Sequence, residues 1–304
     1  MIKQTPNKNE KHKSGFVSVV GRPNVGKSTL INTILDERIS IVTRKPQTTR
    51  HRILGIYTKS NYQTVFVDTP GIHRNNKKVI NKIMNKTALN ALMEADLNLF
   101  MCEASRWTHE DEDVLSRLKK SEVPTIMLLN KIDQVHPKEA LLEVISRLSV
   151  LHKFESVIPI VAKRRNSLTV LLDLIPKYLP ISPKLFETDK MTDRNNSFLA
   201  SEKIREKLIL HLNQEVPYGL TVEIEKFQED ARNIIINAVI WVERDGQKGI
   251  VVGKEGGVLK KVGRAARLDL KDYFKKSVHI DLWVKVKSNW ADSEKDLQNL
   301  GYEL

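Results

Sequence analysis

Short apolar runs and amphipathic stretches take turns along the first 180 residues. Residues 16–20 are apolar between Gly15 and Gly21, the pattern of a buried strand, and residues 27–35 follow with helical spacing. Residues 52–58 and 62–67 are rich in β-formers and are separated only by Lys59-Ser60-Asn61, which predicts a hairpin. The alternation then repeats: helix over 81–95, strand over 97–102, helix over 111–120, strand over 125–129, helix over 138–148, strand over 157–162 and helix over 168–178. Strands separated by helices predict an α/β domain with a mostly parallel sheet and helices on both faces.

Pro180, Pro183 and the polar stretch 187–196 break this rhythm and predict a linker. Beyond it, residues 198–212 place Ile204, Leu208 and Leu212 on one helical face. Residues 221–227 and 234–243 alternate as strands, 257–274 read as a long helix, and 278–286 alternate as a last strand. With room for a short helix near 249–254, the order α-β-β-α-β predicts a small α+β domain. The pattern divides the chain into an arm over 1–13, an α/β domain over 14–181, a linker over 182–197 and an α+β domain over 198–304.

The length of 304 residues suits two domains at about 150 residues each. With 40% apolar and 29% charged residues, both can hold a real core. The one cysteine, Cys102, excludes an intramolecular disulfide and a cysteine-based zinc site, and suits a reducing, cytoplasmic setting. No apolar run reaches the roughly 18–20 residues of a membrane helix, and the first residues lack the apolar centre of a secretory signal.

Charge changes the picture more. Fifty basic against 37 acidic residues leave a net +13, which points to a polyanionic partner, nucleic acid first and anionic lipid second. Residues 198–304 hold 18 basic and 17 acidic side chains, so nearly all the excess lies before them. Within that C-terminal part, residues 244–287 carry 12 basic against 5 acidic, as a localised binding face would; a solvated helix face is the plainer reading of the same run. Residues 38–59 (Arg38, Arg44, Lys45, Arg50, Arg52, Lys59) and 74–86 (Arg74, Lys77, Lys78, Lys82, Lys86) are basic without a single acid.

The candidate chemistry starts where the first strand gives way to the first helix. Gly21, Arg22, Pro23, Asn24, Val25, Gly26, Lys27 and Ser28, with Thr29 next, match G-x-x-x-x-G-K-[ST]. In that context backbone N–H groups curl around phosphate oxygens, Lys27 reaches the β- and γ-phosphates, and the Ser28 hydroxyl ligates Mg²⁺. Asp68-Thr69-Pro70-Gly71 follows another strand, where Asp68 can hold Mg²⁺ through water and the Gly71 N–H can meet the γ-phosphate. Asn130-Lys131-Ile132-Asp133 follows a third; the Asp133 carboxylate accepts two donors, as guanine N1 and N2 offer and adenine does not, which favours GTP over ATP. In the C-terminal domain Gly253-Lys254-Glu255-Gly256 has the G-x-x-G form of a KH loop and opens a basic helix with Lys260, Lys261, Arg264, Arg267 and Lys271. Gly246-Gln247-Lys248-Gly249 has the same form but falls between strands and reads as a turn.

These motifs resemble those of the translation-factor-like P-loop GTPases and, within them, the Era family. Ser201–Leu208, Glu215–Glu225, Trp241–Gly246 and Leu282–Ala291 are also similar to the family's C-terminal region, so the resemblance spans nearly all of 15–302. It implies a P-loop GTPase domain followed by a type II KH-like domain. It implies that Lys45-Pro46-Gln47-Thr48-Thr49-Arg50-His51-Arg52 is switch I, with Thr49, or alternatively Thr48, meeting Mg²⁺ and the γ-phosphate. Lys27, Thr49 and Gly71 are then the groups nearest the hydrolysed bond, and Ser28, Thr49 and Asp68 the Mg²⁺ ligands. The family's fifth motif is Ser-Ala; Val161-Ala162-Lys163 stands here, with the Ala162 N–H expected on guanine. Ile72 follows the Asp68–Gly71 motif where other GTPases place a water-orienting Gln, so slow intrinsic hydrolysis is implied.

The resemblance further implies Gly253, Lys254, Glu255, Gly256, Lys260, Lys261 and Arg264 as RNA contacts. It implies the 3′ region of 16S rRNA and the small ribosomal subunit as partners, and a cytoplasmic monomer that can touch an anionic membrane peripherally. Two other readings stay open: an RNA- or membrane-binding module whose hydrolysis is incidental, and a related GTPase of tRNA modification, which would need a catalytic domain for which no segment remains. Cys102 reads as a core thiol, His51, His73, His109 and His136 as switch-loop or solvent-facing histidines, and Trp241 and Trp283 as core or half-buried strand residues.

Overall fold

The computed structural model describes residues 12–43, 45, 48–72, 78–212, 216 and 219–302. The expected arm (to residue 11), Arg44, Pro46 and Gln47 of switch I, residues 73–77 and part of 213–218 therefore lie outside the described residues. The chain forms two compact units. The first takes the described residues of Met1–Arg38, Arg52–Ile72 and Ala88–Asp193, and the second those of Ile39–His51, His73–Thr87 and Arg194–Leu304.

The first unit is built on a six-stranded sheet. Its strands are β1 (Lys13–Val20), β2 (Ile53–Thr58), β3 (Tyr62–Asp68), β4 (Leu97–Glu103), β5 (Thr125–Asn130) and β6 (Ser156–Pro159), in the order β2-β3-β1-β4-β5-β6. Only β2 runs antiparallel, through the hairpin at 59–61; the other pairs are parallel. β4 and β5 are mostly apolar, β1 is so from Phe16 on apart from Ser18, and all three are largely buried, as a sheet covered on both faces requires. Between the strands in sequence lie α1 (Lys27–Leu35), α2 (Val79–Glu94), whose residues up to Thr87 belong to the second unit, α3 (His109–Leu118), α4 (Ala140–Ser149) and, after β6, α5 (Thr169–Leu174). β6 ends before the apolar run 157–162 does, because the Val161 and Ala162 N–H groups go to the side chains of Ser167 and Asn130. Cys102 is a buried core thiol.

Residues of the expected linker are pinned to this unit rather than loose. Gln63 accepts the Leu185 and Phe186 N–H groups at 2.8 and 2.9 Å and donates to Phe186 O at 3.0 Å. Asp193 accepts the Leu54 N–H at 3.0 Å, and Ile56 N–H bonds Met191 O at 2.8 Å.

The second unit holds α6 (Asn196–His211), β7 (Leu220–Glu229), β8 (Asn233–Val242), α7 (Asp245–Val252), α8 (Gly257–Phe274), β9 (Ser277–Val286) and α9 (Glu294–Asn299). β7 pairs antiparallel and β9 parallel with β8. Ile204 and Leu208 of α6 and Val262, Ala266 and Leu270 of α8 pack on one face of this sheet with Ile234, Ile236 and Ile240. The Gly246–Gly249 segment is not a turn: it lies inside α7, started by the Gln247 side chain, which accepts the N–H groups of Glu243 and Arg244 at 2.9 and 3.1 Å. Trp290, not Trp283, is the core tryptophan. Trp283 is 45% exposed on the open sheet face, while Trp290 is fully buried with Ile80, Ile83, Met84, Leu297 and Tyr302.

Residues 39–51 fold with this second unit through buried polar contacts. The Lys45 ammonium donates to the carbonyls of Ile209 (2.6 Å) and Leu212, capping the negative end of α6. Arg50 is buried and donates to Leu220 O at 2.7 Å. Arg205 of α6 grips Glu202 with two bonds of 2.7 Å and donates to Thr48 O. His51 lies 4.3 Å from the Tyr302 ring and 5.3 Å from that of Phe198, centre to centre, and burial pushes its pKa down to about 4, so it is neutral at physiological pH.

Candidate functional site

Parallel strands bring the sequence-predicted groups to one edge. β1, β3, β4 and β5 all end there, with Val19 beside Asp68, Val20 beside Phe100 and Glu103 beside Asn130. Ligands of open α/β sheets bind at this carboxyl edge.

The loop from Gly21 to Gly26 turns from β1 into α1. Gly26 caps the helix at φ 112°, and a Cβ there would stand 2.4 Å from Asn130 Nδ2, so only glycine fits the floor of the cradle. Lys27 is buried, and its ammonium donates to the carbonyls of Gly21 (2.9 Å) and Arg22 (3.0 Å). Burial holds its pKa at about 8, against the opposing pull of Asp68. Asp68 is itself fully buried at the end of β3, and Thr69 fixes the turn after it by donating to Val19 O at 3.0 Å. The donor set suits a polyphosphate with a hard cation: a buried ammonium, a helix N-terminus, a hydroxyl at Ser28 and a carboxylate at Asp68. Gly71 follows in the same unit, and Ile72 is buried among Val20, Ala88 and Phe100, so its side chain stays in the core.

Asn130 stitches three loops. Its Nδ2 donates to Val25 O at 2.7 Å, and its Oδ1 accepts the Ala162 N–H at 2.9 Å. That second bond departs from expectation, since the Ala162 N–H awaited on guanine is given to Asn130 here. Val161, lacking a hydroxyl, is held by Ser167, which accepts its N–H at 2.7 Å and donates to its carbonyl at 3.1 Å. Asp133 sits in a short 3₁₀ turn and pairs with Lys163 at 2.8 Å; that hydrogen bond holds its carboxyl below the usual range, so it is an acceptor-only carboxylate as base recognition needs.

Thr48 and Thr49 belong to the second unit. The Thr48 hydroxyl is engaged by Thr43 Oγ1 at 2.8 Å and Lys45 O at 2.6 Å. Of the expected loop 71–76, only Gly71 and Ile72 are described. Sequence reasoning missed Glu103 and Asp111, two carboxylates on the Arg22 guanidinium. The one signal for them was a Thr108-x-x-Asp111 capping box just after an apolar strand that ends in an acid.

The second unit presents the candidate nucleic-acid face. Gly253 closes α7 at φ 71°, Glu255 and Gly256 are also left-handed, and α8 starts at Gly257. A Cβ on Gly253 would lie 2.4 Å from Val258 Cγ2, so the tight turn between the helices needs glycine. Lys254 and Glu255 at its tip are exposed. Along α8, Val262, Ala266 and Leu270 are buried, while Lys260, Lys261, Arg264, Arg267 and Lys271 are exposed. A helix N-terminus, a turn and five cations thus face solvent together, the pattern that tracks a phosphate backbone.

Residues 16–131 match a family described as 50S ribosome-binding GTPase, and residues 215–291 match the KH domain family. The chain is 46% identical over 289 residues to GTPase Era of Cronobacter sakazakii, covering 95% of this chain and 96% of that protein. It is 45% identical over 304 residues to GTPase Era of Vibrio cholerae, covering 99% and 93%. Among solved structures, Era in complex with MgGDPNP and nucleotides 1506–1542 of 16S ribosomal RNA superimposes with a TM-score of 0.92 at 36% identity, over 96% of this chain and all of that one. A variant of Aquifex aeolicus Era bound to GDP and AlF4⁻ gives the same figures. Among the described residues no helix is long and apolar enough to cross a membrane.

Proposed function

The chain belongs to the Era family of GTPases, and on that premise we propose that it binds and hydrolyses GTP with Mg²⁺ and binds the 3′ region of 16S rRNA during assembly of the small ribosomal subunit. The observation that carries the nucleotide half is the convergence of Lys27, Asp68, Asn130 and Asp133 at one sheet edge. The observation that carries the RNA half is the exposed cation row on α8 behind the Gly253–Gly256 turn.

In this reading the N–H groups of 21–29 and the Lys27 ammonium hold the phosphates, and Ser28, Thr49 and Asp68 hold Mg²⁺. Held by these residues, Mg²⁺ would supply neutralisation of the phosphate charge. The Gly71 N–H faces the γ-phosphate, Asp133 reads guanine N1 and N2, and Lys131, Val161 and Lys163 line the base. With Ile72 in the core, the position after Gly71 supplies no side chain to orient the attacking water, so turnover is slow until a partner assists. We take 14–181 as the nucleotide domain, 182–197 as the linker and 198–304 as the RNA domain. The γ-phosphate orders switch I and the loop after Gly71 and hydrolysis releases them, and we read this as the means by which nucleotide state governs RNA binding. We further take the protein as a cytoplasmic monomer that can touch an anionic membrane peripherally; co-sedimentation with anionic vesicles tests that point. Displacement of a fluorescent GDP by GTP but not by ATP tests the nucleotide assignment.

Lys27 sets the pH dependence of binding. Phosphate oxygens favour its ammonium form, so bound nucleotide raises its pKa above the value of about 8. Affinity is therefore full below that pKa and falls as pH rises through it, by up to about tenfold per pH unit. Calorimetry at about pH 8.5 in buffers of different ionisation enthalpy should detect proton uptake on GDP binding; no uptake would contradict this.

A further inference from the structure

We propose that Glu103 is a positioning residue for nucleotide binding, clamping the phosphate loop to the base-binding loop through Arg22 and Lys131. The inference rests on reading these two loops as the halves of the nucleotide site. Glu103 ends β4, opposite Asn130 in register, so it stands beside the start of the base-binding turn. One carboxylate oxygen accepts from Arg22 Nη2 at 2.7 Å, and the other pairs with Lys131 Nζ. Lys131 also donates to Asn24 O at 3.1 Å, back onto the phosphate loop. Arg22 is steadied from its other side by Asp111, which accepts from Arg22 Nε at 3.1 Å and from the Thr108 N–H and hydroxyl, both at 2.9 Å.

The network is dry. The side chains of Arg22, Glu103 and Asp111 are 9%, 14% and 0% exposed. Burying ions costs several kcal/mol each before pairing, and apolar residues of equal volume usually stabilise a fold as well or better. Stability alone therefore gives no reason for it, whereas position does. GTP must touch both loops at once, and fixing their spacing beforehand removes an ordering cost from binding. Asn130 joins the same loops through Val25 O; Glu103 adds a charged second tie whose Lys131 end also aims that lysine.

Glu103→Gln keeps the shape and removes the charge that Arg22 and Lys131 share. The test is stopped-flow dissociation of fluorescent GDP from the full chain, with the thermal midpoint and the KM and kcat of GTP hydrolysis alongside. Dissociation should quicken about tenfold, and KM should rise by more than kcat falls. Lys131→Met should act similarly, and adding Glu103→Gln to it should change the rate by less than about twofold, because the clamp is already open. Unchanged dissociation in a folded Glu103→Gln protein, or full additivity with Lys131→Met, would overturn the proposal. If that variant does not fold, Glu103→Asp, which withdraws the charge by one methylene, supports or overturns it by the same comparison. A parent protein that bound no GDP would instead overturn the nucleotide site itself.

Discussion

Lys27→Met is expected to weaken GTP and GDP binding by about a thousandfold and to remove measurable hydrolysis. The ammonium is buried at the head of α1 and donates to the carbonyls of Gly21 and Arg22. Removing one partner of a buried, hydrogen-bonded charge pair costs about 2–5 kcal/mol, and about 4 kcal/mol, within that range, is about three decades. The fold should tolerate the change. Methionine fills the same volume, relief from a buried charge opposes the loss of donors to Gly21 and Arg22, and the two nearly offset. Calorimetric titration with GDP, beside a thermal melt, checks both halves. Micromolar binding by the folded variant would show that the phosphates sit elsewhere.

Replacing Lys260, Lys261 and Arg264 together by alanine is expected to leave GTP hydrolysis intact and to weaken RNA binding about a hundredfold at 0.1 M salt. All three are exposed on α8, opposite its buried Val262, Ala266 and Leu270. Alanine suits a helix surface, so the fold should be unaffected. Each lost phosphate contact lowers the slope of log affinity against log salt by about 0.7, so three lower it by about 2, and the defect should vanish towards 1 M salt. Anisotropy titrations across a salt series with a labelled RNA measure this. A parent protein with a flat salt response, or a triple variant with the parent's slope, would remove α8 from the interface.

Much of this architecture is written locally. Glycine, lysine and strand-end acids mark the nucleotide loops because the turn geometry demands those residues at those places, and α8 spans the run expected, from Gly257 to Phe274. What the sequence hid is tertiary. Nothing near Lys45 in the chain foretells that it caps α6, because its acceptors lie 164 and 167 residues away. Glu103 looks like the polar end of a strand until Arg22 and Lys131 arrive from two other loops. Glycines 246 and 249 argued for a turn, yet Gln247 capping starts a helix across them. Trp283, read as core or half-buried, is instead 45% exposed, since periodicity gives two faces of a strand without saying which one is covered.

The central claim is that nucleotide state governs binding of a particular RNA. The direct measurement is affinity for a short oligonucleotide from the 3′ end of 16S rRNA, against a scrambled one, with a GTP analogue, with GDP and with neither. Tight, sequence-selective binding confined to the GTP analogue is the predicted result. Nucleotide binding with no preference between the two RNAs in any state would contradict it.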